Sequence, residues 1–134
     1  MRVFLDTNVL VSAFATRGVC SDVFRVVLAE HTLVTGAVVL QELGRVLRTR
    51  IGLPPGAVVE IDEFLREYEV VPKPAIRAAV PQHDPDDQWV VASAVESRAD
   101  VLVTGDRDLL DIAADAPVTI VDPRGFWDLV SKNE

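Results

Sequence analysis

The chain has 134 residues, 49% of them apolar and 25% charged, a balance that predicts one globular unit over residues 1–134 and excludes intrinsic disorder. Its 21 acidic against 13 basic side chains leave a formal charge of −8, so no global positive field is available to hold polyanions, and any nucleic-acid contact must be local. Uncharged runs such as 7–16 and 32–41 are shorter than the ~18 apolar residues of a bilayer crossing, which argues against a membrane protein.

Met1-Arg2 leads straight into a first strand, Val3–Leu5, with no room for a cleavable leader, so a cytoplasmic protein is expected. Ser21 precedes a helix over 22–28 whose apolar residues recur at helical spacing. Cys20 beside it is the single cysteine; with no internal disulfide or thiolate zinc cage open to it, it reads as a small buried apolar residue. The strand Thr32–Thr35 follows, and Thr35-Gly36 opens a helix to about Arg50, closed by Gly52 and Pro54-Pro55. Val58, Ile61, Phe64, Leu65 and Tyr68 mark the next helix, interleaved with charges on a wet face. After a strand at Glu69–Val71, Pro72, Pro74, Pro81 and Pro85 predict a loop, broken at most by a short helix over 75–80. A helix to about Arg98, a strand at Val101–Thr104, a short helix over 109–113 and a strand at Val118–Val121 complete the alternation. Asp122 and Pro123 then start a closing helix with Phe126, Trp127 and Val130 in the core. Such a βαβα pattern predicts an α/β protein, a parallel sheet covered on both faces.

Acids stand where this pattern expects core. Asp6 follows Val3-Phe4-Leu5 at a strand's carboxyl end, where open α/β sheets place ligand crevices; Asp6-Thr7-Asn8 is equally rich in residues that cap helices. Glu42 borders the apolar stripe of Val38, Val39, Leu43, Val46 and Leu47, and is read either as a site residue or as the surface partner of Arg45 or Arg48. Asp87 heads the stripe of Val90, Val91, Ala94 and Val95, which assigns capping to Asp84 or Asp86 and leaves Asp87 facing the site. Gly105 permits a turn after 101–104 that brings Asp106 or Asp108 to the same sheet edge as Asp6, unless these acids merely begin the short helix. Four elements thus deliver carboxylates that repel one another unless protonated, kept apart or neutralised. A hard divalent cation resolves the conflict, and oxygen ligands suit Mg²⁺ or Mn²⁺. His31, at a helix-to-strand junction, and His83, in a loop, read as ordinary surface or cap residues.

In their order along the chain, Phe4-Leu5-Asp6-Thr7-Asn8-Val9-Leu10, Gln41-Glu42-Leu43, Asp87-Gln88-Trp89-Val90-Val91-Ala92-Ser93-Ala94 and Val103-Thr104-Gly105-Asp106-Arg107-Asp108-Leu109 resemble the PIN-domain nucleases, specifically the small VapC-like toxins of type II toxin–antitoxin systems. Val118 to Asp122 and Phe126-Trp127 resemble that family's last strand and closing helix. The resemblance implies a three-layer α/β/α PIN-like fold with a central, mainly parallel five-stranded sheet. It implies that Asp6, Glu42, Asp87 and Asp106 are the catalytic acids holding Mg²⁺ or Mn²⁺, with Asp108 assisting. Because the stretch before Thr104-Gly105-Asp106 is about a residue longer than in many such toxins, Asp108 stays beside Asp106 as a candidate for the fourth acid. Asn8 and Thr104 are implied to hydrogen-bond Asp6 and orient its carboxylate. Also implied are a homodimer and a cognate antitoxin that wraps the surface and inserts a basic side chain into the acidic pocket. The faces of Val9-Leu10-Val11, Phe14 and Val23-Phe24-Val27 serve either contact or the core.

The expected function is metal-dependent hydrolysis of RNA phosphodiester bonds, with Asp6 and Asp87 as principal ligands and Glu42 and Asp106 holding waters or a second ion. Arg17, Arg45, Arg48 and Arg50 are candidates to flank the RNA path. The alternative is a catalytically silent PIN-like module that binds RNA or protein, its acids only capping helices. A phosphatase of the haloacid dehalogenase type also puts an aspartate after its first strand, but needs a second one where this chain has Asn8.

Overall fold

A computed structural model of the chain describes residues 1–78 and 85–132. Five strands, β1 (Arg2–Leu5), β2 (Thr32–Gly36), β3 (Glu69–Val71), β4 (Val101–Val103) and β5 (Thr119–Val121), form one sheet in the order β3-β2-β1-β4-β5. Every pairing is parallel, so the sheet expected to be mainly parallel is wholly so. The central strands are continuous apolar runs because both their faces are covered: Val3, Phe4, Leu5, Leu102 and Val103 are inaccessible to solvent. Between the strands run α1 (Thr7–Ala15), α2 (Val19–Glu30), α3 (Ala37–Val46), α4 (Pro55–Leu65), α5 (Pro85–Glu96) and α6 (Arg107–Asp111), and α7 (Pro123–Lys132) closes the described chain. With this strand order, the right-handed rule for parallel crossovers assigns α1 to α4 to one face and α5 and α6 to the other, the three-layer arrangement.

Several element boundaries differ from expectation for local reasons. Helix α2 starts at Val19 rather than after Ser21, because Gly18 takes a φ of +156° that residues with a Cβ rarely adopt and turns the chain early. The helix expected to reach Arg50 is α-helical only to Val46, then widens into one π turn, Leu47–Ile51, that ends at a left-handed Gly52. There the Thr49 hydroxyl donates to the Arg45 carbonyl at 2.7 Å, a local bond that competes with regular helix. Residues 75–78 form no helix, and the rest of the 75–80 expectation, like His83 and Asp84, lies outside the described residues. Val95, expected in the core, is 45% exposed, so the buried stripe of α5 runs through Asp87, Val91 and Ala94 instead. Asp122 caps α7 as expected, its Oδ1 accepting from the Gly125 N–H at 2.7 Å.

The faces that had two readings resolve toward core. Val9, Leu10, Val23 and Val27 are fully buried within the monomer, while Val11 and Phe14 are only partly buried. Cys20 is half-buried rather than enclosed. Among the described residues, no helix is long and apolar enough to cross a membrane.

Candidate functional site

The strand order reverses beside β1: the chain leaves β1 toward β2 on one side, and β4 occupies the other. Such a switch point opens a crevice at the carboxyl ends of the strands. Asp6 stands there. Its N–H donates to the Val103 carbonyl at 3.0 Å, one residue beyond the last β1–β4 pair, Leu5 with Val103. Its Oδ1 accepts from the Thr7 N–H at 2.7 Å, which makes it the N-cap of α1. Its Oδ2 accepts from the Thr104 hydroxyl at 2.8 Å and the Asn8 amide at 3.3 Å. Capping and a place at the strand's carboxyl end coexist at this residue.

The same network carries Asp106. Thr104 Oγ1 accepts from the Asp106 N–H at 3.0 Å, and Asn8 Oδ1 accepts from the Gly105 N–H at 2.8 Å. A Cβ at Gly105 would meet Asn8 Oδ1 at 3.3 Å, so the glycine gives the turn its close approach. Asp106 Oδ1 accepts from the Asp108 N–H at 2.9 Å and caps α6, whose first turn holds the half-buried Asp108. Asp6 is only 5% exposed. Burial pushes its carboxyl above the ordinary value; the bonds from Thr104, Thr7 and Asn8 pull it back, and the negative charge of Asp106 pushes it up again. Asp6 and Asp106 are therefore electrostatic neighbours.

Asp87 is 6% exposed in the first turn of α5, with the exposed Asp86 beside it. A Cβ on Gly36, the last residue of β2, would sit 3.0 Å from Ser93 Cβ, which fixes the level of α5 against the sheet. Asp87 lies six residues nearer the helix start, roughly 9 Å along an axis that runs against the strands, so it stands beyond their carboxyl ends. Composition alone did not reveal Gly36 and Ser93 as positioning residues; two small residues at a strand end and inside an apolar stripe were the available signal.

Glu42 is partly exposed in α3, and Arg45 grips it with Nη2 to Oε1 at 2.6 Å and Nε to Oε2 at 3.1 Å. Of the two readings of Glu42, the surface ion pair is seen, and it forms with Arg45. Glu42 and then Asp86 favour the charged guanidinium, so Arg45 feels acids of both α3 and α5, which pack together. Lys73 stands 4.3 Å over the Trp89 ring on α5, a cation–π contact not anticipated from sequence. Arg17, Arg48 and Arg50 are exposed. His31 lies at the opposite, amino edge of the sheet, its Nδ1 3.2 Å from the Met1 amino group.

The acids are thus brought together unequally. Asp6 and Asp106 share one hydrogen-bond network, Asp87 heads a helix above the same edge, and Glu42 is held by Arg45. Among the described residues, no three histidine, cysteine or acidic side chains stand close enough to hold a metal ion. A hard cation that keeps several waters requires only one or two carboxylates, and the Asp6–Asp106 pair is an all-oxygen donor set of that kind.

The PIN domain family model matches residues 2–108 of the chain. Among solved structures, VapBC-1 of nontypeable Haemophilus influenzae is similar over 92% of this chain and 99% of its own, with a TM-score of 0.64 and 18% identity. The sarcin-ricin loop cleaving toxin VapC20 of Mycobacterium tuberculosis is similar over 81% of this chain and 93% of its own, with a TM-score of 0.59 and 16% identity. The PIN domain endonuclease Utp24 is similar over 90% of this chain and 84% of its own, with a TM-score of 0.56 and 15% identity. Curated protein sequences yield no significant match.

Proposed function

The chain belongs to the PIN domain family, and from that premise we propose that it is a divalent-metal-dependent ribonuclease, the toxin of a toxin–antitoxin pair. The observation that carries this reading is the buried Asp6 carboxylate at the sheet's switch point, sharing Thr104 with the Asp106 turn. Asp6 and Asp106 would hold Mg²⁺ or Mn²⁺, with Asp87 and Glu42 completing the acidic set and Asp108 assisting. When bound, the ion supplies Lewis-acid polarisation of the phosphodiester and the positive charge that an acidic chain lacks. Thr104 and Asn8 fix the Asp6 oxygens through their hydrogen bonds, and Glu42 or Asp106 takes the proton from the attacking water.

Structural relatives favour an RNA substrate and a protein partner. VapC20 is named as a sarcin-ricin loop cleaving toxin, and VapBC-1 bears the paired name VapBC. We extend both to this chain: a cognate antitoxin covers the acidic crevice, and the active form is a homodimer in the cytoplasm. Since Val9, Leu10, Val23 and Val27 are core, these contacts fall to other surfaces.

The test is RNA hydrolysis. Cleavage is expected in Mg²⁺, lost in EDTA, and reduced in Asp6→Asn and Asp87→Asn beyond the roughly 10–100-fold typical of an outer-shell partner. RNA binding without cleavage, unaffected by EDTA, would instead establish the silent binding module.

A further inference from the structure

Glu42 enters the acidic set already engaged. Both of its carboxylate oxygens lie on the Arg45 fork, at 2.6 and 3.1 Å, one turn apart on α3. A cation cannot take Glu42 through both oxygens without displacing at least one of these bonds, and a guanidinium so close repels any doubly charged ion. The Arg45 side chain is 49% exposed and that of Glu42 43%, and ion pairs this open to water are weak and readily exchanged. Asp86, in the first turn of α5 next to Asp87, also acts on Arg45, so the guanidinium stands where α3 and α5 meet rather than on an unrelated surface.

We propose that Arg45 is an exchangeable counter-ion: it neutralises Glu42 in the ion-free protein and releases it when a divalent cation enters, thereby setting the affinity of the site for that cation. The inference rests on the metal-dependent reading above. Arg45 acts through Glu42 and is a positioning residue, and because the pair is exposed, its replacement leaves the core untouched.

Mn²⁺ titrated calorimetrically into the wild type, Arg45→Gln, Glu42→Gln and the double variant tests it. Arg45→Gln is expected to bind Mn²⁺ about two- to fivefold more tightly, the range a weak competing pair allows, and this gain is expected to vanish in the Glu42→Gln background. In parallel, the Arg45 Nε–H resonance, identified by its loss in Arg45→Lys, is expected to shift on saturation with Mg²⁺. Unchanged or weaker binding by Arg45→Gln, an equal gain in the Glu42→Gln background, or an Nε–H resonance that ignores Mg²⁺ would each overturn the exchange. If Asp6-dependent Mn²⁺ binding is present in the wild type, such a result fails Arg45 alone; a wild type that binds no Mn²⁺ fails the metal-dependent reading as well.

Discussion

Thr104 makes two bonds that no apolar isostere can replace: its hydroxyl donates to Asp6 Oδ2 at 2.8 Å and accepts from the Asp106 N–H at 3.0 Å. Thr104→Val keeps the shape and removes both. It is expected to cost about 1–3 kcal/mol of stability in denaturant unfolding and to weaken Mn²⁺ binding about 10–100-fold, with Thr104→Ser restoring most of each. Asp6 sets the pH dependence. Its folded pKa lies above the ordinary 3.8, so its contribution to the ion-free fold is fully present below about 3.8 and is lost as pH rises through the folded value. A cation requires the ionised form. The thermal stabilisation by Mn²⁺ is therefore expected to grow as pH rises above about 3.8 and through the raised folded value; a shift that is constant or larger at the acid end would contradict a role for Asp6. At this scale much was legible beforehand. Strand ends and a resemblance point to Asp6, Asn8 and Thr104, and their oxygens and amides do meet. Sequence leaves Glu42 between site and ion pair, since helical spacing reveals that Arg45 is within reach but not that α5 brings Asp86 near it.

The strands were the most readable elements, because buried β-branched runs such as Val101-Leu102-Val103 have few other ways to be covered. Helix ends were less so, being decided by single backbone positions. Arg98, after α5, is the non-glycine residue with positive φ among those described, at +58°, while the Ala99 N–H returns to the Ala94 carbonyl at 3.0 Å to finish the helix. Arg98→Gly is expected to stabilise the protein by about 1 kcal/mol, read as a higher denaturant midpoint. Gly36 is legible only once α5 is in place. Because its missing Cβ would press on Ser93 Cβ at 3.0 Å, Gly36→Ala is expected to destabilise by about 1–3 kcal/mol. It is also expected to weaken Mn²⁺ binding by lifting the helix that carries Asp87, and Ser93→Gly added to it should recover part of the stability loss. Simple additivity of the two changes would mean that the two elements are not in the close contact seen.

Across the whole molecule, the order β3-β2-β1-β4-β5 with every pair parallel makes the region between β1 and β4 the one place where consecutive crossovers diverge. An α/β alternation with a covered sheet was foreseeable from periodicity; which strands are neighbours was not, because that depends on contacts between residues about a hundred positions apart, such as Leu5 and Val103. The formal charge of −8 adds a long-range reason for a cation to favour the folded chain, yet it favours many surface sites weakly rather than one strongly. Only convergence at the switch point distinguishes a single specific site from diffuse attraction to acids such as Glu60, Asp62 and Glu63 on α4. The most direct measurement is paramagnetic broadening of backbone amide resonances by substoichiometric Mn²⁺. Broadening is expected first at 6–8, at 104–106 and in the first turn of α5, and it should disappear from all three in Asp6→Asn. Early broadening centred on α4, or spread evenly over the acidic surface, would contradict a shared metal centre at the carboxyl edge of the sheet.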